Sequence, residues 1–342
     1  MDINMNYTIE LCKELLEIPS PAGYTDEVMA RVEKELKEFG VEYNYTRKGS
    51  IVAFLKGENS DYTKMVSAHV DTLGAIVKKV KSNGRLELMG IGGFAWGSVE
   101  GENVIIHTLN GEKIEGTLLP VKSSVHIYGD IPREMARTAE NMEVRIDEDV
   151  STEIETKKLG ICQGDFVSFY TKTKVLESGY IKSRYLDDKV CVAQLLAYVK
   201  YLKENNEKPK NDLYLYFSNF EEVGHGVSVV PEKVDEFIAL DIGLVGEDAH
   251  GDEKKVSIAA RDNKTVYDLK VRKDLQETAF KNGINYTVGV YNRYGSDATA
   301  LILQGQDLKY ACIGPNVDAT HHYERTHMDG ILETIKLLVA YL

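Results

Sequence analysis

The sequence of 342 residues lacks several features that would assign it to a particular class of protein. It has only four cysteines, and they are scattered, which argues against a disulfide scaffold or a cysteine-based metal site and indicates reduced thiols. No apolar run approaches the ~18 residues that a membrane-spanning helix needs. The first residues show no basic and apolar signal-peptide pattern, so we expect a cytoplasmic protein.

Positive charge is also in deficit. Lys and Arg together number 41 against 54 Asp and Glu, which gives a net charge of −13. We therefore expect neither a nucleic-acid partner nor an anionic membrane surface as a partner. What remains is the ordinary composition of a soluble globular enzyme, with 43% hydrophobic and 28% charged residues. The chain is long enough for two domains.

The order of predicted elements indicates an insertion. Helix-like and strand-like segments alternate in residues 1–71 and again in residues 183–342, which predicts an α/β fold with a largely parallel sheet covered by helices. Residues 72–182 instead contain short β-type runs and the hairpin dipeptides Asn83-Gly84 and Asn110-Gly111. We expect a small β-domain there, inserted into a discontinuous catalytic domain.

Five separated segments each offer a side chain of the kind that binds metal ions. They are residues 67–71, 186–188, 220–224, 239–243 and 320–324. Taken alone, each is more often a satisfied polar group, a solvated pair or a helix cap. However, His69, Glu222 and Asp241 all follow predicted strands, and ligands bind at that edge of an open α/β sheet. The combination favours one common site.

Mixed histidine and carboxylate ligands without cysteine are typical of hydrolytic sites for Zn²⁺, Co²⁺ or Mn²⁺. Two ions about 3.5–4 Å apart can share one carboxylate. We assign His69 and Asp241 to one ion, Glu222 and His321 to the other, and Asp187 to the bridge between them.

This assignment leaves Glu221 without a metal. It is adjacent to Glu222 but projects differently, so it is the candidate general base that accepts a proton from water and then protonates the leaving amine. In the last segment, either His321 or His322 could be the ligand, and we favour His321.

The ordered motifs resemble those of the glutamyl aminopeptidase family of cytosolic metallo-aminopeptidases, which includes the self-compartmentalising tetrahedral peptidases. The resemblance covers essentially the whole chain. It rests on His69-Val70-Asp71, Leu186-Asp187-Asp188, Glu221-Glu222-Val223-Gly224, Asp241 and the Gly-containing turn Tyr294-Gly295-Ser296-Asp297-Ala298.

The resemblance implies a zinc-exopeptidase-like fold, two divalent ions per subunit and removal of N-terminal residues from short peptides. It also implies that Asp71 is a catalytic-site residue that orients His69. Residues 72–182 would mediate dimerisation and the assembly of dimers into a dodecamer. Lys189 departs from the family, in which Arg is common at this position.

Three other functions remain open at this point. One is a related metal-dependent deacylase or carboxypeptidase of the same broad fold. Another is a glycoside hydrolase that uses Glu221 and Glu222, although such carboxylates must flank a bond at about 5–9.5 Å and adjacent residues rarely do so. The third is a binding protein that keeps the site without turnover.

Overall fold

A computed structural model describes all 342 residues. The helices are α1 Met5–Glu17, α2 Asp26–Glu38, α3 Val125–Tyr128, α4 Ile131–Glu134, α5 Glu153–Lys158, α6 Leu186–Asn205, α7 Leu269–Lys281, α8 Asp297–Leu303 and α9 Met328–Tyr341. The strands are β1 Glu42–Tyr45, β2 Ile51–Leu55, β3 Asn59–His69, β4 Gly74–Val80, β5 Leu86–Ile91, β6 Asn103–His107, β7 Lys113–Pro120, β8 Met142–Ile146, β9 Phe166–Phe169, β10 Lys174–Val175, β11 Tyr180–Ser183, β12 Asn211–Ser218, β13 Glu236–Leu240, β14 Gly243–Leu244, β15 Val256–Arg261, β16 Tyr286–Val290, β17 Lys309–Val317 and β18 Glu324–His327. Three short 3₁₀ turns cover Trp96–Val99, Ala139–Asn141 and Glu221–Val223.

The chain forms two compact units. The first comprises Met1–Asp71 with Lys172–Leu342, and we call it the main unit. The second, the inserted unit, comprises Thr72–Thr171.

The main unit is built on one large sheet in the order β1-β2-β12-β3-β13-β17-β15-β16, with β14 paired to β17. The pairs β12–β3, β3–β13, β13–β17, β14–β17 and β15–β16 are parallel, whereas β1–β2, β2–β12 and β15–β17 are antiparallel. The predicted α/β class with a largely parallel sheet is thus confirmed.

The central strands are buried along their length. Every residue of β13 is buried, and so are residues 63–69 of β3. Because successive side chains of a strand point to opposite faces, these apolar runs require cover on both faces of the sheet. Helices supply it, with α6 packed against β3, α9 against β17 and α8 against β13.

The first helix shows how local sequence sets an element. The side chain of Asn4 accepts a hydrogen bond from the Tyr7 N–H and caps the start of α1. The helix ends at Glu17, since Ile18 precedes Pro19 and adopts extended backbone angles. Its buried face, which includes Leu15 and Leu16, packs against α6.

Parallel pairing brings the candidate segments to one edge of the sheet. Ser218, the last residue of β12, lies opposite His69, the last residue of β3, and Ala239 of β13 lies opposite Ser67. The carboxyl ends of three adjacent strands therefore meet, and the residues that follow them emerge side by side.

The inserted unit is a closed barrel in the order β4-β5-β8-β7-β6-β9. Its core is a separate apolar cluster that includes Val77, Leu88, Ile106, Val144 and Val167. The two predicted hairpin dipeptides are the turns between β4 and β5 and between β6 and β7. Gly84 and Gly111 take φ values of +80° and +84° there, which side chains with a Cβ disfavour.

The inserted unit ends earlier than the sequence suggested, at Thr171 rather than at residue 182. The reason is a pairing distant in sequence. Strand β11 pairs with β10 and also with β18, with Ile181 opposite Thr326, in a three-stranded sheet of the main unit. In sequence, residues 172–182 resemble the β-rich segment that precedes them. Only their pairing with β18 shows that they belong to the main unit.

None of the helices combines the length and apolar character needed to cross a bilayer. All four cysteines are free thiols. Cys12, Cys191 and Cys312 are buried in the main unit, and Cys162 is half-buried in the inserted unit.

Candidate active site

His69 is fixed by its own backbone and ring contacts. It ends β3, its side chain is 2% exposed, and its N–H donates to Asp188 Oδ2 at 3.0 Å. The ring Nδ1 lies 2.9 Å from the carbonyl oxygen of Asp71. This contact turns Nε2 toward Asp187 Oδ1, 3.2 Å away.

Asp187 lies between the two histidines of the site. It lies at the start of α6, where its backbone angles (φ −72°, ψ 105°) are not helical and its side chain is buried. Its Oδ1 faces His69, and its Oδ2 lies 3.5 Å from His321 Nε2. One carboxylate can therefore serve both sides of the site.

Two groups of potential ligand atoms share this carboxylate. One is His69, Asp187 and Asp241, and the other is Asp187, Glu222 and His321; within each group the atoms lie within 4.8 Å of one another. This is the grouping that we assigned from the sequence, and the binding of ions to it stays a prediction.

The geometry favours His321 over its neighbour. His321 Nε2 is 3.6 Å from Glu222 Oε2, and its side chain is 37% exposed. His322 is exposed, and its Nδ1 accepts a hydrogen bond from the Tyr323 N–H at 2.8 Å.

Asp71 holds the Glu221–Glu222 turn. Its two carboxylate oxygens accept the N–H groups of Glu221 at 3.1 Å and Glu222 at 3.2 Å. The contact that orients His69 comes from the Asp71 carbonyl oxygen, since the carboxylate Oδ1 is 3.6 Å from Nδ1. Asp71 thus touches both the histidine and the candidate base, a double contact that the sequence did not indicate.

Glu221 belongs to neither group. Its Oε2 lies 3.7 Å from His69 Nε2, and its side chain is 17% exposed. Burial raises the pKa of Glu221 well above its usual value, an effect that the nearby Asp241 and Glu222 carboxylates increase and His69 opposes. The residue is thus placed beside the ligand cluster and outside both groups.

The cluster carries an excess of buried negative charge. Burial raises the pKa of Glu222 to about 8 and that of Asp241 to about 7, with Asp187 adding to both. Burial would also raise the pKa of Asp187, but hydrogen bonds with His321 and His69 hold it well below its usual value. The Oε1 atom of Glu222 is buried without a hydrogen-bond partner. Carboxylates that repel one another, a free acceptor and two imidazoles fit divalent cations with oxygen and nitrogen ligands.

The Gly-containing turn at residues 294–298 leads into α8, with Ser296 as the N-cap. Asp297 accepts the Ser218 hydroxyl at 2.6 Å and the Val227 N–H at 3.0 Å. These two residues flank the Glu221 turn in sequence, so Asp297 fixes the chain on both sides of it. A Cβ at Gly226 would lie 2.1 Å from Asp297 Oδ1, which requires glycine there. Sequence reasoning missed this contact because no spacing rule joins these segments.

Lys189 lies next to the site residues but contacts the backbone after α1. Its side chain is buried, and Nζ donates to the carbonyl oxygen of Ile18 at 2.6 Å. Burial lowers the pKa of Lys189 to about 7. The contact ties the start of α6 to the end of α1.

The family model described as M42 glutamyl aminopeptidase matches residues 49–337. The chain belongs to this family. It is 43% identical to the provisionally named aminopeptidase YhfE of Bacillus subtilis (strain 168) over 336 residues, which cover 98% of this chain and 97% of YhfE. These matches make the protein an aminopeptidase and favour that activity over deacylase, carboxypeptidase or glycoside hydrolase activity.

Solved structures agree on the fold. The aminopeptidase APDkam598 from the archaeon Desulfurococcus kamchatkensis matches with a TM-score of 0.88 at 22% identity, covering 98% of this chain and 94% of that protein. The TET1 peptidase of Pyrococcus horikoshii, which can assemble into a tetrahedron or a large octahedral shell, matches with a TM-score of 0.84 at 22% identity, with coverages of 97% and 98%.

Proposed function

We propose that this aminopeptidase uses two divalent metal ions to remove N-terminal residues from short peptides. His69, Asp187 and Asp241 would hold one ion, and Asp187, Glu222 and His321 the other. The observation that carries the proposal is the sharing of Asp187 by two groups of ligand-type atoms. Zn²⁺ and Co²⁺ are the ions we favour, with Mn²⁺ as a further candidate.

When bound, such ions lower the pKa of water and polarise the scissile carbonyl group. Glu221 supplies the proton transfers. Its carboxylate accepts a proton as the water oxygen attacks the carbonyl carbon, and it gives this proton to the amine nitrogen as the C–N bond breaks. Its position outside both ligand groups, and the hold of Asp71 on its backbone, support this role.

Metal removal and replacement test the proposal. Protein treated with a chelator should lose hydrolysis of aminoacyl p-nitroanilides and regain it with Zn²⁺ or Co²⁺, and elemental analysis should find two ions per chain. The same substrates with an acetylated α-amine, and a polysaccharide, should not be cleaved. One ion or none at saturating metal would contradict the two-ion proposal. Equal cleavage of the acetylated substrates would contradict the requirement for a free N-terminus.

Assembly forms a separate part of the proposal. We propose that the inserted unit mediates self-association, with dimers assembling into a dodecamer. The support is the family together with the assemblies of the TET1 peptidase of Pyrococcus horikoshii. Light scattering should give a mass near twelve chains, and a monomer in dilute solution with metal present would contradict this.

A further inference from the structure

The carboxylate of Glu324 joins two segments of the site that are far apart in sequence. Glu324 is 2% exposed and begins β18. Its Oε2 accepts the Asp187 N–H at 3.2 Å. Its Oε1 accepts the His321 N–H at 3.1 Å and lies 3.3 Å from the Thr320 hydroxyl. Both oxygens are therefore engaged by donors, and Glu324 belongs to neither group of potential ligands.

We propose that Glu324 is a positioning residue that holds Asp187 and His321 in the arrangement that binds the second ion. The inference rests on the proposed two-metal function. It assigns to Glu324 a part in metal affinity, exerted through backbone N–H groups and not through direct ligation.

The backbone around His321 adopts an uncommon conformation that its contacts must hold. It lies in the loop between β17 and β18, where Ala319 and His321 take φ values of +55° and +61°. These left-handed conformations are uncommon for residues with a side chain and persist where surrounding contacts fix them. The side chain of His321 is 37% exposed, so packing restrains it only in part.

Thr320 extends the same link. Its hydroxyl lies 3.0 Å from Asp187 Oδ2 as well as 3.3 Å from Glu324 Oε1. The carboxylate and the hydroxyl thus bracket both the backbone and the side chain of Asp187. The first group depends on Glu324 only through the shared Asp187. Its histidine, His69, ends a strand, donates its N–H to Asp188 Oδ2 and is oriented by the Asp71 carbonyl oxygen.

The variant Glu324→Gln tests this selectively. The amide keeps one acceptor oxygen, but its NH₂ group cannot accept, so either the Asp187 N–H or the His321 N–H loses its partner. Partners of this kind typically contribute 10–100-fold to metal affinity. We expect the second Co²⁺ ion, two of whose ligands are held by Glu324, to bind about 10–100-fold more weakly, as followed by calorimetry and the Co²⁺ visible spectrum. The first ion shares only Asp187 with it and should be weakened less.

Three variants serve as references. Glu333→Gln changes another buried glutamate of the main unit, whose Oε2 accepts the Asn285 N–H at 2.6 Å, and it should bind both ions normally. The Co²⁺ spectrum of Glu324→Gln with one ion bound should match that of His321→Ala and differ from that of Asp241→Asn.

Unchanged affinity for both ions in Glu324→Gln would overturn the proposal. So would equal weakening of both ions, or the same selective loss in Glu333→Gln. If Glu324→Gln does not fold, Thr320→Val is the deciding variant, because it removes the hydroxyl that contacts Asp187 and Glu324 at nearly constant shape. Selective weakening of one ion in Thr320→Val supports the proposal, and unchanged binding of both ions overturns it. A wild-type protein that binds fewer than two ions would instead contradict the proposed function, so the two failures are distinguishable.

Discussion

The two halves of the candidate metal site are built from different kinds of structure. His69 ends a buried strand, and Asp241 directly follows another, with exposed fractions of 2% and 6%. Glu222 lies in a single 3₁₀ turn, and His321 lies in a loop and is 37% exposed. The sheet itself thus fixes the first half, whereas hydrogen bonds donated to the carboxylates of Asp71 and Glu324 fix the second.

This difference indicates that the two halves should respond differently to mutation. Strand ends are held by ladder hydrogen bonds and by burial on both faces, as when the Asp241 N–H donates to the Ile313 carbonyl of β17 at 2.9 Å. A loop held by a few side-chain bonds is less stable locally and opens more easily. We call the ion held by His69, Asp187 and Asp241 the inner ion and the ion held by Asp187, Glu222 and His321 the outer ion. We expect the inner ion to exchange slowly and the outer ion to exchange readily.

The largest effect should come from the residue that the two halves share. Asp187→Asn removes a charged ligand from both groups, so we expect both ions to weaken and activity to fall by more than the ~10–100-fold typical of a lost partner outside the ligands. Elemental analysis after dialysis and hydrolysis of an aminoacyl p-nitroanilide measure this. Loss of a single ion would show that Asp187 is not shared.

Neighbouring glutamates should fail in different ways. Glu221→Gln should keep both ions and lose at least ~10²-fold in kcat, because an amide cannot accept the proton of water. Glu222→Gln should lose affinity for the outer ion only, and excess metal should restore part of its activity. If Glu221→Gln loses metal but stays active at saturating metal, the two roles are exchanged.

Substitution of the exposed ligand should have a milder effect. His321→Ala should release the outer ion while the inner ion remains, and high concentrations of Co²⁺ should recover activity in part. His322→Ala is the matched control and should resemble the wild type, since its ring contacts only the adjacent Tyr323 N–H. Metal loss in His322→Ala would assign the ligand to that residue instead.

The smallest effect concerns the stability of metal-free protein at different pH. The pKa of Glu222 is raised to about 8 and that of Asp241 to about 7, from usual values of 4.5 and 3.8. The folded state then binds more protons than the unfolded state, so stability should fall as pH rises from about 4 to about 8.

His69 and Asp187 also contribute to this pH dependence. Burial lowers the pKa of His69, but Asp187 and Asp71 raise it well above 6.5, which adds a loss of stability with rising pH. The lowered pKa of Asp187 acts in the opposite direction but only below 3.8, outside this range. Melting temperatures at pH 5 and pH 8 should decline for chelated wild type and decline less for Glu222→Gln. An equal decline in melting temperature for both proteins would show that the buried charge of Glu222 does not cause the loss of stability.

The sequence predicted those features that depend on local pattern. The hairpin turns at Asn83-Gly84 and Asn110-Gly111 were expected and lie between β4 and β5 and between β6 and β7, because Asn-Gly favours the positive φ of a tight turn. The strand ends that carry His69 and Asp241 were predicted from the strand-like runs that precede them, and parallel pairing then brought them together. Strands β15 and β16 were not predicted, although Val256–Arg261 has an apolar run.

Contacts between distant segments could not be predicted. Nothing in the residues around Glu324 indicates that its carboxylate accepts the N–H of Asp187, and nothing around Asp297 indicates Val227. The same holds for β11, whose partner β18 lies near the end of the chain. Such contacts depend on tertiary packing, which hydrophobic periodicity does not encode.

Because three of the four cysteines are buried, the protein has a single natural site for chemical labelling. Only Cys162 is within reach of a reagent, and it lies in the inserted unit. Its Sγ donates to Asp165 Oδ1 at 3.3 Å, and burial together with this carboxylate raises its pKa, so a maleimide dye should attach slowly at neutral pH and faster in mild alkali. Energy transfer between donor- and acceptor-labelled chains at this position would test the proposed self-association in real time, with no engineered cysteine and no label in the main unit.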